Sequence, residues 1–534
     1  MANDVLPARA LSPIVEIVSG RVRGMVAGGI HAFKGIPYGA STAGAGRFMP
    51  ARSAAAWSGV RDALAYAGHA PQSPNRAKRR PELATILGPA DATPEGEDCL
   101  TLNVWTPGIG ASSSNGGKRP VMVWLHGGAF AYGSGNRAVT EGANLACRGD
   151  VVVVSVNHRL NILGHLHLAD LGGERYAHSG NAGVLDLIAA LRWVRDNIAG
   201  FGGDPGNVTI FGESGGGGKV SVLLAMPEAR GLFHRAVIQS GATVRVSTRE
   251  RANALAEAVL KQFEFGKGDC DRLQSVPLDR LLAAIAPASR AVGPTDRKLL
   301  DRYDFGPVVD GGDLPRQPFD PDAPAIADDI PLLIGGLREE SALFLADDDE
   351  IWHGRLTEEA LRRRIAAVAG AEADQVIDLY RTMLPNGSRE DRLITALTGS
   401  NFWVRSVLLA ERKAARGGLN GNGAPVYMYS LDWQSPAHGG RLKAHHAMDL
   451  SFVFDTTEVP DTTKGAPGAA DLAAIMSSVW AAFARSGNPQ TAAIPHWPAY
   501  TAATRATMIF DTECHIVADP DHDARLLWSR IAAG

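Results

Sequence analysis

The sequence predicts an α/β architecture in which a large, mostly parallel sheet is covered by helices on both faces. Three observations predict it. Residues 121–125 (Val-Met-Val-Trp-Leu) and 151–156 (Val-Val-Val-Val-Ser-Val) are nearly unbroken apolar runs, the pattern of strands buried on both faces. Between such runs lie stretches with apolar residues at helical spacing, as at Val184, Ile188, Leu191 and Val194. Strand and helix then alternate over most of the length, the order that builds a parallel sheet.

Taken in order, residues 14–26 alternate apolar and polar around Gly20, as an N-terminal hairpin does. Residues 97–105 (Glu-Asp-Cys-Leu-Thr-Leu-Asn-Val-Trp) alternate again, and the Ser- and Gly-rich residues 108–117 read as a surface loop. The strand at 121–125 runs into His126-Gly127-Gly128-Ala129-Phe130. After the helix at 184–198, Gly202-Gly203-Asp204-Pro205 turns the chain into Val208-Thr209-Ile210, a short β-branched strand. It ends in Phe211-Gly212-Glu213-Ser214-Gly215-Gly216, and a helix is expected over residues 219–226. Further strands are expected at 236–239, 332–335 and 426–429. The last helix, 471–485, carries Leu472, Ile475, Met476, Val479 and Phe483 on one face and is closed by Gly487 and Pro489. Neither an internal repeat nor an inter-domain linker interrupts residues 1–534, which read as a single domain.

Composition excludes several classes. At 45% hydrophobic and 21% charged, the 534 residues describe a globular protein with ample core. A net charge of −4 argues against nucleic acid as a partner. The basic cluster Arg76-Ala77-Lys78-Arg79-Arg80, flanked by Pro74 and Pro81, reads as a solvated loop. No apolar run reaches membrane-spanning length, and the N-terminus lacks the basic and apolar regions of a secretion signal. Cys99, Cys147, Cys270 and Cys514 are too scattered for a disulfide framework or a zinc site. A cytoplasmic protein with reduced thiols is expected, with no metal and no cofactor.

The strand, the sharp turn at Ser214 and the following helix form the context of a nucleophile elbow. Gly212 and Gly216, two residues either side, remove the bulk that would keep strand and helix apart, and the helix's free N–H groups face any anion formed there. In a chain with 60 glycines the pentad alone could be a mere glycine-rich turn. A phosphate-binding loop is ruled out because Val220, not Ser or Thr, follows Gly218-Lys219. A serine hydroxyl needs a base, and the base needs an acid to orient it. Glu339 and Glu340 lie just past a strand end, and His445 and His446 lie in a loop before an apolar segment. Backbone N–H groups for an oxyanion come from the His126-Gly127-Gly128-Ala129 loop and from Gly215.

On these residues the chain resembles the type-B carboxylesterases, the esterase and cholinesterase group of the α/β hydrolases, including their bacterial p-nitrobenzyl-esterase-like members. The resemblance covers nearly the whole chain. It runs through Gly20-Arg-Val-Arg-Gly24, Phe33-Lys-Gly-Ile-Pro-Tyr38, the 97–105 block, the oxyanion loop, Asn157-His-Arg-Leu160, Asn181-Ala-Gly183, Phe201-Gly-Gly-Asp-Pro205, the elbow, Gln239-Ser-Gly241 and Trp497-Pro-Ala-Tyr500. It implies an α/β-hydrolase fold with helical insertions forming the pocket. It further implies a catalytic triad of Ser214, Glu340 and His446, an oxyanion hole of Gly128, Ala129 and Gly215, and substrate-side positions at Gly127 and at Glu213, the family's buried carboxylate beside the site. Ser341 stands where the family usually has Gly after its acidic pair, so Glu339 stays open as the acid.

The implied activity is hydrolysis of carboxylic esters through an acyl-Ser214 intermediate, extending by the Gly-Gly-Ala loop to esters of bulky or tertiary alcohols. Two alternatives remain. One is hydrolysis of amides, carbamates or a xenobiotic diester on the same triad; the other is a silent binding module of the same fold. The partner is a small-molecule ester, with monomer and homodimer both open. Two departures from the family bear on this. Ala70-Pro71-Gln72 replaces the Cys-Pro-Gln that often pairs with the cysteine at Cys99, which favours an intracellular setting. Gly215 replaces the usual Ala, which predicts a looser helix start. Pocket residues are expected around 76–94, 287–319 and 350–403.

Overall fold

A computed structural model of the chain describes residues 10–73, 80–110, 117–293, 304–420 and 423–533. The basic cluster at 76–79 and most of the 108–117 loop lie outside them. The described residues contain one 13-stranded sheet. In chain order its strands are β1 (Ala10–Ile17), β2 (Gly20–Ala27), β3 (Ile30–Pro37), β4 (Val60–Asp62), β5 (Thr101–Thr106), β6 (Arg119–Leu125), β7 (Val152–Val156), β8 (Gly203–Glu213), β9 (Arg235–Gln239), β10 (Leu332–Leu337), β11 (Val426–Leu431), β12 (Ala506–Phe510) and β13 (His515–Ala518). The spatial order is β1-β2-β3-β5-β7-β6-β8-β9-β10-β11-β12-β13, with β4 beside β2. From β7 to β12 every neighbour is parallel. Antiparallel strands close both edges: β1, β2, β3 and β5 on one side and β13 on the other.

The core confirms why the strands read as unbroken apolar runs. Val121, Val123 and Leu125 pack on one face with Val184, Leu187 and Leu191 of helix Ala182–Asn197. Met122 and Trp124 pack on the other with Leu472, Met476, Val479 and Phe483 of helix Ala469–Ser486. Alternate side chains thus enter two cores, each apolar. The one helix among the described residues long and apolar enough to cross a membrane, Arg389–Arg416, has 72% of that window buried inside the protein.

The alternating stretch at 97–105 carries β5, and all six residues of that strand are buried, polar ones included. The polar Asn103 is accommodated because its Nδ2 donates to Ser155 Oγ at 3.0 Å and its Oδ1 accepts from Gly35 N at 2.8 Å. The helix expected at 219–226 is Gly215–Leu223 and starts directly after Ser214. Four successive glycines hide it from any propensity argument, and close packing overrides their weak helix preference.

Candidate active site

The carboxyl ends of β6, β8, β9 and β10 converge, where open α/β sheets place their ligands. Ser214 sits at the apex between β8 and helix Gly215–Leu223 with φ 55° and ψ −121°, a strained conformation for a residue with a side chain. Its backbone is held on both sides: Ser214 N donates to Gln239 O at 2.8 Å, and Gly218 N donates to Ser214 O at 3.0 Å.

The surrounding glycines leave no room for a methyl group. A Cβ at Gly212 would fall 2.4 Å from the Gly216 carbonyl carbon, and one at Gly216 would fall 2.0 Å from Leu125 O. A Cβ at Gly215 would meet Ala129 O at 2.2 Å and Ala129 N and Cα at 2.4 Å. The helix start is therefore tight, contrary to the looseness expected from Gly215. Glycine at 215 lets the oxyanion loop lie directly on the elbow, bringing the peptide N–H groups at 129 and 215 into one neighbourhood. Among the described residues, the N–H groups of Gly128, Ala129 and Gly215 donate to no protein acceptor. Gly128 and Ala129 reach this shape through positive φ values of 91° and 60°.

Opposite the elbow, Glu340 is wholly buried at the end of β10. Its Oε1 accepts from Leu337 N at 2.9 Å and its Oε2 lies 2.6 Å from His446 Nδ1. The neighbouring carboxylate turns away: Glu339 accepts from Gln434 Nε2 and Ala444 N at 3.4 and 3.3 Å. His445 likewise points elsewhere, its Nδ1 lying 2.8 Å from His446 O. The structure thus joins Glu340 to His446 and leaves Glu339 and His445 as buried neighbours.

His446 Nε2 faces Glu213 Oε1 at 3.1 Å. Among the described residues no hydrogen bond runs from Ser214 Oγ to His446, so the site as it stands pairs the imidazole with carboxylates at both nitrogens. Burial raises Glu213 above the ordinary carboxylate range, and the facing His446 opposes that rise by favouring the carboxylate. For His446 burial acts downward, and Glu213 and Glu340 outweigh it and raise the imidazole above its ordinary value. Gly127 packs against Glu213: a Cβ there would lie 2.8 Å from Glu213 Oε2.

Several residues at the site were not assigned from sequence. Asp449, three residues after the histidine, is buried and accepts from Gln239 Nε2 at 2.8 Å and Tyr429 OH at 2.9 Å, and burial raises it to about 6. Phe344 and Phe402 flank the His446 ring at centroid distances of 4.9 and 5.0 Å and stack on each other at 5.9 Å. Phe402 comes from the expected 350–403 region, whereas Phe344 follows the acidic pair. With 57% of its surface exposed, Phe344 is a large apolar side chain left open to solvent beside the imidazole. A recess at Ser214 is lined by Ser240, Gly241, Ala242, Thr243, Asn401 and Phe402. An aromatic four residues after Glu340 was the one sequence signal available for Phe344.

With this geometry in place, comparison with known proteins is informative. The carboxylesterase family model matches residues 11–524. The chain is 36% identical to the para-nitrobenzyl esterase of Bacillus subtilis (strain 168), covering 96% of this chain and 97% of that protein. Among solved structures it resembles the Geobacillus stearothermophilus carboxylesterase EST55, with a TM-score of 0.80 and 38% identity over 97% of this chain and 100% of that one. It also resembles an esterase from Clostridium hathewayi described as hydrolysing aliphatic aromatic polyesters, with a TM-score of 0.80 and 35% identity over 98% and 100% of the two chains. The chain belongs to the carboxylesterase family, with its α/β-hydrolase fold, and is an enzyme that hydrolyses carboxylic esters.

Proposed function

We propose that Ser214 is the nucleophile, His446 its general base and Glu340 the acid that orients the base. The observation that carries this reading is the buried 2.6 Å bond from Glu340 Oε2 to His446 Nδ1, set opposite a serine held at the strained apex of a strand-to-helix turn. Glu340 fixes the tautomer with the proton on Nδ1, leaving Nε2 to accept. A hydrogen bond from Ser214 Oγ to Nε2 forms as the ester enters, displacing Glu213 from that nitrogen, since catalytic hydrogen bonds are often completed only in the complex.

Attack of Ser214 Oγ on the ester carbonyl transfers the serine proton to Nε2. The oxyanion that forms accepts from the N–H groups of Gly128, Ala129 and Gly215. Collapse expels the alcohol, which takes the proton back from His446 and leaves an acyl-Ser214 ester. Water, deprotonated by the same histidine, then releases the acid. Glu213 stabilises the charge on the imidazolium. Asp449, held by Gln239 and Tyr429, adds negative field from behind.

The substrate range extends to esters of bulky and aromatic alcohols. The Gly-Gly-Ala loop brings no side chain larger than a methyl group to the site, and the exposed face of Phe344 offers an aromatic wall. Relatives named for para-nitrobenzyl esters and for aliphatic aromatic polyesters fit that wall. We read residues 1–534 as one domain, because a single sheet takes strands from residue 10 to residue 518. A reducing, cytoplasmic setting fits four cysteines that are all free.

The test is hydrolysis of p-nitrophenyl esters of rising acyl length by the wild-type protein and by Ser214→Ala. The variant is expected to lose about a thousandfold or more in kcat. Equal activity of the two proteins would remove the nucleophile assignment.

A further inference from the structure

Lys219 lies one helical turn after Gly215, on the same face of helix Gly215–Leu223, and is 0% exposed. Its Nζ donates to His126 O at 2.7 Å, the single hydrogen bond it makes among the described residues, and lies 5.7 Å from the Phe130 ring centroid. Burying an ammonium is expensive unless something is gained from it. The acceptor it has chosen is the carbonyl immediately before the oxyanion loop.

Three consecutive peptides of that loop have their carbonyls fixed. Lys219 fixes His126 O. The His126 ring, buried and stacked on His158 at 4.9 Å, fixes Gly127 O through Nδ1 at 2.8 Å. The N–H groups of Tyr132 and Ala131 fix Gly128 O at 2.9 and 3.2 Å. In a planar trans peptide the C=O and N–H point in opposite directions, so fixing these carbonyls aims the N–H groups of Gly127, Gly128 and Ala129 the other way. Two of the three clamps are internal to the loop. The one from Lys219 alone connects the loop to the helix that carries Gly215.

We propose that Lys219 is a positioning residue for ester hydrolysis, tethering the loop of Gly128 and Ala129 to the elbow helix so that the two halves of the oxyanion hole keep a fixed separation. The proposal rests on the assignment of Ser214 as nucleophile and of these N–H groups as oxyanion donors. It goes beyond that assignment by naming what holds the donors in register. Burial draws the Lys219 ammonium down to about 7 against the opposing charge of Glu213. In either protonation state Nζ keeps an N–H for the His126 carbonyl.

The experiment compares wild type, Ser214→Ala, Lys219→Met and Lys219→Gln on a p-nitrophenyl ester, with the three proteins that keep Ser214 titrated by a fluorophosphonate so that their kcat is expressed per folded site, and Ser214→Ala expressed per total protein. Affinity for an aryl trifluoromethyl ketone, which adds reversibly to the serine and mimics the tetrahedral intermediate, and melting temperature are measured alongside. Lys219→Met is expected to lose about ten- to a hundredfold in kcat with KM within about threefold, and to bind the ketone weaker in the same proportion. Its melting temperature is expected to be equal or higher, since an apolar side chain replaces a buried charge. Lys219→Gln, with a shorter neutral donor, should fall between. A Lys219→Met protein with kcat within twofold of wild type overturns the proposal. So does a pair of variants that melt lower and yield fewer titratable sites while kcat per site and ketone affinity stay unchanged, because that pattern is purely structural. A wild type inert on esters, or a Ser214→Ala protein of equal rate, overturns the nucleophile assignment and this proposal with it.

Discussion

The two halves of the site are built on different principles. On the elbow side, backbone lies against backbone: glycines at 212, 215 and 216 have contacts of 2.0 to 2.4 Å waiting for any added Cβ. On the acid–base side, position is set by side chains: Glu340, His446, Glu213 and Asp449 form a buried cluster joined by hydrogen bonds and charge. The first half is rigid because it cannot collapse further. The second is strongly coupled, because carboxylates and an imidazole out of reach of water feel one another's charge. Small steric changes should therefore damage the one, and charge changes the other.

The largest expected effect breaks the side-chain half. Glu340→Gln should lower kcat/KM on a p-nitrophenyl ester by about a thousandfold or more, while Glu339→Gln stays within about threefold. A reversed ranking would transfer the acid's role to Glu339. The next tests the backbone half. Gly215→Ala should cost about a hundredfold in kcat by pushing Ala129 off the elbow, whereas Gly268→Ala, where a Cβ meets nothing within 4 Å, should behave as wild type. An active Gly215→Ala enzyme would show that the loop yields.

The smallest effect concerns pH. Glu213 and Glu340 raise His446, and the base must be unprotonated to act, so activity falls as pH drops through that raised value. Glu213→Gln removes one of the carboxylates that raise His446 and should shift the acid limb of kcat/KM to lower pH by about one unit. An unmoved or upward-shifted limb would mean that Glu213 does not govern the imidazole.

This contrast also explains what was legible in the sequence. Backbone packing demands particular residue types at fixed spacing, so the Gly212-Glu213-Ser214-Gly215-Gly216 turn and the Gly127-Gly128 loop stand out in a linear reading. Six of the seven parallel strands were legible for a similar reason, since burial on both faces leaves an apolar run, whereas β12 was not read. Side-chain clusters carry no such spacing. Asp449 meets Gln239 from 210 positions away, and Glu213 meets His446 across the sheet. Such contacts become visible only once β8 to β11 are aligned. Lys219 belongs to both groups: its position one turn beyond Gly215 is readable, but its burial beneath His126 is not.

The wide separation of the parts along the chain bears on how the enzyme matures. His126 to Ser214 come from strands adjacent in the sheet, β6 and β8, whereas the proposed base comes from residue 446, beyond β10 and β11 in the chain. Non-local closures of this kind are slow relative to local structure. A chain emerging from the ribosome can complete its elbow and still be chemically silent. Turnover is therefore a report on the long-range closure that brings residue 446 to the elbow rather than on formation of the turn at Ser214.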